Sequence, residues 1–294
     1  MDKVIIKNIR DFDIRHTLEC GQCFHFSKIH DNDYGVVSGE KFVRVVQKDD
    51  ELYFYNSSEK DVYDYWIKYF DLERDYSVIK EAIIKSDARL KRVIQNMHGV
   101  RILNQEFHET LISFIISQNK QIPHIKKIVF ELSRCYGEKL AEIDGIEFYS
   151  FPDISRVSDI SEEDFRELKV GFRAPYLRDA ALNLYNEKVG DFLRDMTYEE
   201  AAGTLMQIKG VGEKVSNCVL LFSLGFRNAF PVDVWIKRIM EKMYFEENDT
   251  AKDVIARKAE DLFGEYGGYA QQYLFAYREI FLKKGCNIRT KVKI

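Results

Sequence analysis

Lys214 lies just past the glycine turn Gly210-Val211-Gly212 and opens an apolar helical run, and Asp233 follows a Pro-Val break in Phe230-Pro231-Val232-Asp233-Val234. Glycines at such a turn permit φ > 0 and let the backbone approach a ligand closely. The helix that follows begins with unpaired N–H groups, which can hold a phosphate oxygen. A lysine in that first turn faces the positive end of the helix dipole, which favours the uncharged amine. An amine of this kind attacks an electrophilic sugar carbon and gives a Schiff base. Asp233 is a favoured N-cap for a helix running through Ile236 and Ile239, and an ionised carboxylate there also stabilises a cationic sugar and accepts a proton. Each feature has a plain structural explanation, since helices end at glycine, lysines populate surfaces and Asp caps helices. Their combination within 206–240 points to an enzyme that grips a phosphate backbone and carries its own nucleophile.

Other chemistries find less support. Cys20-Gly-Gln-Cys23 has the spacing of a redox pair or half a zinc site, yet no second pair exists among Cys135, Cys218 and Cys286. All six histidines lie at or before His124 and none forms an H-x-x-x-H pair. No side-chain metal site and no cofactor are therefore expected, and the odd, scattered cysteines read as reduced thiols.

The elements that must position Lys214 and Asp233 divide the chain at His98-Gly99. Residues 1 to 57 read as strands, with Lys41 to Gln47 and Leu52 to Tyr55 flanking a polar turn and Gly35 and Gly39 punctuating the strands before it. From Ser58 the period becomes helical, and everything beyond reads as helix and loop. Leu111, Ile112, Ile115 and Ile116 cover more than one face of a buried helix that stops at a polar cluster, 117–121, before Pro123. Ser161 with Asp164 and Thr197 with Glu200 are spaced as capping boxes. Pro152, Gly171 to Pro175 and Gly203 separate the helices. Lys283, Lys284, Arg289, Lys291 and Lys293 form one basic cluster, read as a solvated tail. The expected organisation is α+β: an antiparallel sheet domain with flanking helices at 1–98, then an all-helical domain of two subdomains at 99–294.

With 294 residues, 46% hydrophobic and 31% charged, the chain has ordinary globular usage. No apolar run approaches the ~18 residues of a membrane span, and the charged start is not a signal peptide, so a cytoplasmic protein is expected, nucleoid-associated if bacterial. A net charge of −4 argues mildly against a nucleic-acid binder, although a local basic patch on an acidic body serves as well.

The segment 205–240 resembles the helix-hairpin-helix-GPD motif of base-excision DNA glycosylases, and residues 20–24, 99–125, 171–176 and 268–275 resemble the bifunctional 8-oxoguanine DNA glycosylases. The likeness covers nearly the whole chain. It implies a monomer that acts on double-stranded DNA containing 8-oxoguanine, flips the damaged nucleotide out of the stack, attacks its sugar with Lys214 and nicks the strand by β-elimination, with Asp233 stabilising the cationic sugar. It further implies that Gly21 offers a carbonyl to N7–H of the oxidised base, that Cys218 and Phe275 sandwich that base, and that Gln271 reads its Watson–Crick edge. Asn119 and Arg173 match residues that contact the orphaned cytosine, and Phe172 matches an aromatic wedge, commonly Tyr. Gly210, Gly212, Val215 and Trp235 fall at backbone-contacting positions. Two departures stand out: His124 replaces a second arginine directed at the cytosine, and Trp235 replaces a phosphate-contacting histidine. Losing a charged fork at 124 implies weaker preference for cytosine. Monofunctional glycosylases for alkylated bases lack the lysine, iron–sulfur members need four closely spaced cysteines where this chain has Cys286 alone, and a non-catalytic DNA-binding protein needs neither Lys214 nor Asp233.

Overall fold

A computed structural model describes residues 3–187, 190 and 192–283. Its sheet has five antiparallel strands, β1 (Val4–Ile6), β2 (Phe26–His30), β3 (Asp33–Ser38), β4 (Lys41–Lys48) and β5 (Glu51–Tyr55), in the order β1-β5-β4-β3-β2. The polar turn joins β4 to β5 in the register Val45↔Phe54 and Gln47↔Leu52. Val43, Val45, Leu52 and Phe54 therefore share one face and pack on Trp66 and Phe70. The stretch also contains a helix, Ile14–Glu19, capped by Asp13, whose carboxylate accepts the His16 N–H at 2.7 Å.

Strand β3 is buried on both faces, and the reason is a second hairpin, β6 (Lys139–Ile143) with β7 (Ile146–Tyr149). The expectation of helix and loop alone beyond Ser58 is corrected here. Phe148 of β7 packs with Val37 and Phe42 on the outer face of the sheet. It does so over Gly35, where any Cβ would sit 2.2 Å from the ring. Gly35 is thus a strand residue that admits Phe148, not a break, and Gly203 likewise lies inside the helix Tyr198–Leu205.

The fold class α+β holds, with the helical region carrying this added hairpin. Its core surrounds the central helix Phe107–Ser117, of which every residue but His108 is buried. The helices Tyr76–Ser86 and Leu90–Asn96 precede His98 in the chain yet bury Ile79, Ile83, Leu90 and Val93 in this helical core. Both capping boxes form, at Ser161/Asp164 and Thr197/Glu200. At the junction, Gly99 O accepts from Asp13 N–H (2.8 Å) and Thr17 Oγ1 (3.0 Å), so the sheet and helical parts are stitched together there. Cys286 and the basic cluster from Lys284 onward lie outside the described residues.

Candidate active site

The hairpin runs from the helix Tyr198–Leu205 through a turn to the helix Glu213–Val219, which continues as a π-turn over Leu220–Leu224. Gly210 adopts φ +83°, and a Cβ there would lie 2.4 Å from the Tyr176 ring. Gln118 Nε2 donates to Gly210 O at 3.1 Å, and Lys209 N–H donates to Asp179 Oδ2 at 2.8 Å, so the turn is clamped from two sides. Gly212 is the N-cap in extended backbone, with open space where its Cβ would be. Ser216 N–H makes the first ladder bond, to Gly212 O at 3.0 Å. The N–H groups of Glu213, Lys214 and Val215 therefore stand ahead of the ladder, as anion-binding helix starts require, while the Val215 side chain is buried.

Lys214 and Asp233 line one cleft of about 640 Å³ together with Gly21, Phe114, Ser117, Trp235 and Phe275. Lys214 Nζ donates to Ser117 Oγ at 3.4 Å and sits 5.0 Å from the centre of the Phe114 ring. Asp233 caps the helix Val234–Tyr244: its Oδ1 accepts from Trp235 N–H (2.9 Å) and Ile236 N–H (2.8 Å). Capping fixes one carboxylate oxygen and leaves the other without a hydrogen bond from any described residue. Among the described residues Lys214 Nζ bonds Ser117 and not Asp233, so the amine is not locked to the carboxylate.

Gly21 comes from the N-terminal part and is held against the helix Gly267–Lys283. Gln22 donates to Thr17 O and Arg101 O, each at 2.8 Å, and accepts from Leu103 N–H at 2.9 Å. Arg278 donates to Cys20 O (3.1 Å) and to Phe275 O (2.7 Å), and its guanidinium lies 4.2 Å over the Phe275 ring. Gly21 takes φ +97°, and a Cβ there would meet Ile122 Cδ1 at 2.9 Å and Phe275 Cε1 at 3.1 Å. Cys218 is buried one turn beyond Lys214, and burial pushes its thiol up to about 11 against the pull of that lysine. Gln271 is also buried; its Nε2 donates a long 3.3 Å bond to Pro231 O, while Oε1 has no hydrogen-bond partner among the described residues. An unpaired buried amide oxygen costs free energy unless something occupies it, so this atom is a natural place for a ligand donor.

The residues assigned to the opposite strand lie outside the lining of this cleft. Asn119 is exposed in left-handed backbone (φ +50°), and His124 is exposed in the first turn of the helix Ile122–Tyr136. Phe172 is 55% exposed, with the buried Arg173 guanidinium 4.2 Å from its ring and bonded to Val170 O. Lys120 donates to Lys169 O at 3.3 Å, which sets the 117–121 cluster beside the Gly171–Arg173 turn. Trp235 is 42% exposed at the cleft.

Sequence reasoning passed over Phe114, Ser117, Gln22 and Arg278. Only the polar cluster carried a signal, for Ser117; the others depend on contacts between segments distant in the chain. Cys20 and Cys23 are both buried with thiols pushed up by that burial, and Cys20 Sγ accepts from Gln272 Nε2 at 3.0 Å. No group of three metal-binding side chains forms among the described residues. A larger cavity of about 1080 Å³, lined by Arg74, Tyr198, Arg227 and Tyr269, contains none of the residues with assigned roles.

The glycine hairpin is thus clamped, and the lysine in the turn behind it shares a cleft with the carboxylate at a second helix start. Residues 4–111 match the family described as 8-oxoguanine DNA glycosylase, N-terminal domain, and residues 112–265 match the HhH-GPD superfamily of base excision DNA repair proteins. The chain is 32% identical over 276 residues to the N-glycosylase/DNA lyase OGG1 of Arabidopsis thaliana, covering 88% of this chain and 75% of that protein. It superposes with a TM-score of 0.90 on the Clostridium acetobutylicum 8-oxoguanine glycosylase/lyase bound to double-stranded DNA with cytosine opposite 8-oxoguanine, at 36% identity over 95% of this chain and 96% of that one. A structure of MBOgg1 with a low-affinity DNA ligand gives 0.90 at 40% identity, over 95% and 96%. The chain belongs to the 8-oxoguanine N-glycosylase/DNA lyase family within the HhH-GPD superfamily. The 3-methyladenine DNA glycosylase of Archaeoglobus fulgidus, at 18% identity and TM-score 0.78, shares the fold.

Proposed function

We propose that this chain excises 8-oxoguanine from double-stranded DNA and then nicks the strand, with Lys214 as the nucleophile and Asp233 as its carboxylate partner. The observation that carries the assignment of residues is the meeting of the amine and the capped carboxylate in one cleft with Gly21 and Phe275. The glycosidic bond is out of reach inside the stack, so the nucleotide is flipped into this cleft. The Lys214 lone pair forms a bond to the anomeric carbon as the bond to the base breaks, and the electron pair leaves with the base. The nitrogen lone pair then forms the C=N bond as the C1′–O4′ bond breaks and a proton passes to O4′, which gives the protonated Schiff base; loss of a C2′ proton from it expels the 3′ phosphate by β-elimination. Asp233, with one oxygen fixed by two N–H groups, offsets the positive charge that develops on the sugar.

Base selection falls to groups around the amine. Gly21 O accepts from N7–H of the oxidised base; guanine presents an acceptor there, and two opposed acceptors cost about 1–3 kcal/mol. Phe275 and Cys218 flank the base, and the unpaired Gln271 Oε1 takes a donor from its edge. Gly210, Gly212, Val215 and Trp235 carry phosphate contacts. Phe172 fills the gap left in the stack, and Asn119, Arg173 and His124 face the orphaned base. We assign the protein to the cytoplasm, at the nucleoid if it is bacterial, and read it as a monomer, because Gly21, Lys214, Asp233 and Phe275 of one chain share the cleft; no described helix is long and apolar enough to cross a membrane.

Borohydride treatment of the protein with an 8-oxoguanine duplex tests this. A covalent adduct forms with the natural chain and disappears in Lys214→Gln. Base release without an adduct would indicate a monofunctional enzyme instead, and no preference for the lesion would indicate a non-catalytic binder.

A further inference from the structure

We infer that Ser117 is a positioning residue that aims the lone pair of Lys214 into the cleft. This rests on Lys214 being the nucleophile, as proposed above. Ser117 closes the central helix and is only 9% exposed, and its hydroxyl has a single proton. That proton is committed: Oγ donates to Phe114 O at 2.7 Å. What remains toward Lys214 Nζ, 3.4 Å away, is lone pair, so Ser117 can only accept from the amine.

The second neighbour acts in the same sense. The Phe114 ring centre lies 5.0 Å from Nζ, and an aromatic face accepts N–H but has nothing to donate. This ring is itself held still, stacked on Phe222 (5.6 Å, 13°) and edge-on to Phe24 (5.5 Å, 69°). Cys218, the third neighbour, contributes a thiol that is at most a weak partner. An uncharged amine in this setting turns its two N–H bonds toward Ser117 and Phe114. Its lone pair then points away from both, into the space shared with Asp233 and Phe275. An amine held only by its flexible stem would spend most of its time with the lone pair elsewhere, and misorientation of a reacting group lowers the rate without altering substrate affinity.

Gln118, the next residue, donates to Gly210 O, so the segment that carries Ser117 is tied to the turn that precedes Lys214. A purely structural account exists, because Ser117 Oγ also satisfies a carbonyl in the last turn of its helix. That account places the effect of substitution in folding and in DNA binding, not in the covalent step.

The experiment uses the full chain and a duplex with a preformed abasic site, which isolates amine attack from base recognition. The Nζ lone pair adds to the C1′ aldehyde as the carbonyl pair moves to oxygen. Water then leaves with two protons, and borohydride reduces the imine. Single-turnover trapping rates are compared for the natural chain, Ser117→Ala and Ser117→Thr, beside affinity for a tetrahydrofuran duplex, which has no aldehyde, and the melting temperature. Ser117→Ala should trap about tenfold more slowly at unchanged tetrahydrofuran affinity, and Ser117→Thr, which keeps the hydroxyl, should recover most of the rate. Trapping by Ser117→Ala within twofold of the natural chain overturns the inference. So does a loss matched by equal losses of affinity and melting temperature, and so does failure of Ser117→Thr to recover. Absence of trapping in the natural chain would instead reject Lys214 as nucleophile.

Discussion

Gly210 and Gly212 occupy one turn but should respond in different ways to an added methyl group. At Gly210 an alanine must take φ +83°, left-handed backbone that costs an L-residue about 1–2 kcal/mol. Its Cβ would lie 2.4 and 2.5 Å from the Tyr176 ring and 2.8 Å from Tyr176 Cβ. Rotating the ring cannot relieve the last of these contacts, so the helix Ala174–Glu187 or the turn must shift; overpacking of this kind adds about 1–3 kcal/mol. The expected loss of unfolding free energy is therefore about 2–5 kcal/mol, read from urea denaturation. Gly212, at φ −99° and ψ −179°, is in backbone that any residue adopts, with no atom within 4 Å of a built Cβ. Alanine there should cost no more than about 1 kcal/mol, as a poorer N-cap. If the DNA backbone approaches Gly212 closely, the same methyl meets the phosphate instead. Gly212→Ala should then bind a tetrahydrofuran duplex about tenfold more weakly, or 1.4 kcal/mol, across a series of salt concentrations. Unchanged affinity of Gly212→Ala would refute close approach at this residue, and unchanged stability of Gly210→Ala would refute the reasoning from Tyr176.

Asp233→Asn keeps a competent cap, so unfolding free energy should change by less than about 0.5 kcal/mol while single-turnover excision falls about 100-fold; excision at the natural rate would remove Asp233 from the chemistry. Asp233→Ala should show the same loss of rate and also lower stability by about 1 kcal/mol. Burial pushes the Asp87 carboxyl up, but hydrogen bonds from Arg89 and Tyr244 outweigh it and hold the group below its ordinary 3.8. A depressed folded value means stabilisation that is present above 3.8 and lost as pH falls below it, so Asp87→Asn should cost about 1–3 kcal/mol near neutrality and less and less in acid. Urea titrations showing the same difference at pH 7 and pH 2 would contradict this. With His124 in place of an arginine, excision rates opposite the four bases should be comparable, and His124→Arg should raise the preference for cytosine; strict cytosine dependence of the natural chain would sink the reading.

The local signals in the sequence were reliable where one short segment decides the outcome. The β4–β5 hairpin follows from alternation about a polar turn, and both capping boxes follow from a hydroxyl and a carboxylate three residues apart. Ile14–Glu19 reads as strand because six residues are too few to separate the two periods, although Asp13 marks its start. The β6–β7 hairpin could have been found: Asp144 (φ +51°) and Gly145 (φ +77°) form the Asp-Gly pair that favours a two-residue turn. Its strands are short and half-exposed, so their hydrophobic pattern is faint. Gly35 reads as punctuation because the ring that needs its missing side chain, Phe148, is far away in the chain.

The same contrast divides the active site. Lys214 and Asp233 are placed by devices written beside them, a glycine turn and an N-cap, so their placement is legible from the residues alone. The base pocket has no such local script. Gly21 faces Phe275 because Gln22 ties its loop to Thr17, Arg101 and Leu103, and because Arg278 reaches back from the helix Gly267–Lys283 to Cys20 O. None of these partners is predictable from periodicity, and the spacing Cys20-x-x-Cys23 points toward a metal or redox site, whereas the glutamine in between ties the loop down and the glycine lines the cleft. Resemblance to a family supplied the proposed pocket residues; the hydrogen bonds supply the physical reason that Gly21 and Phe275 meet. Because the Gly21 loop and the glycine hairpin are anchored through separate contacts, either can change without disturbing the other.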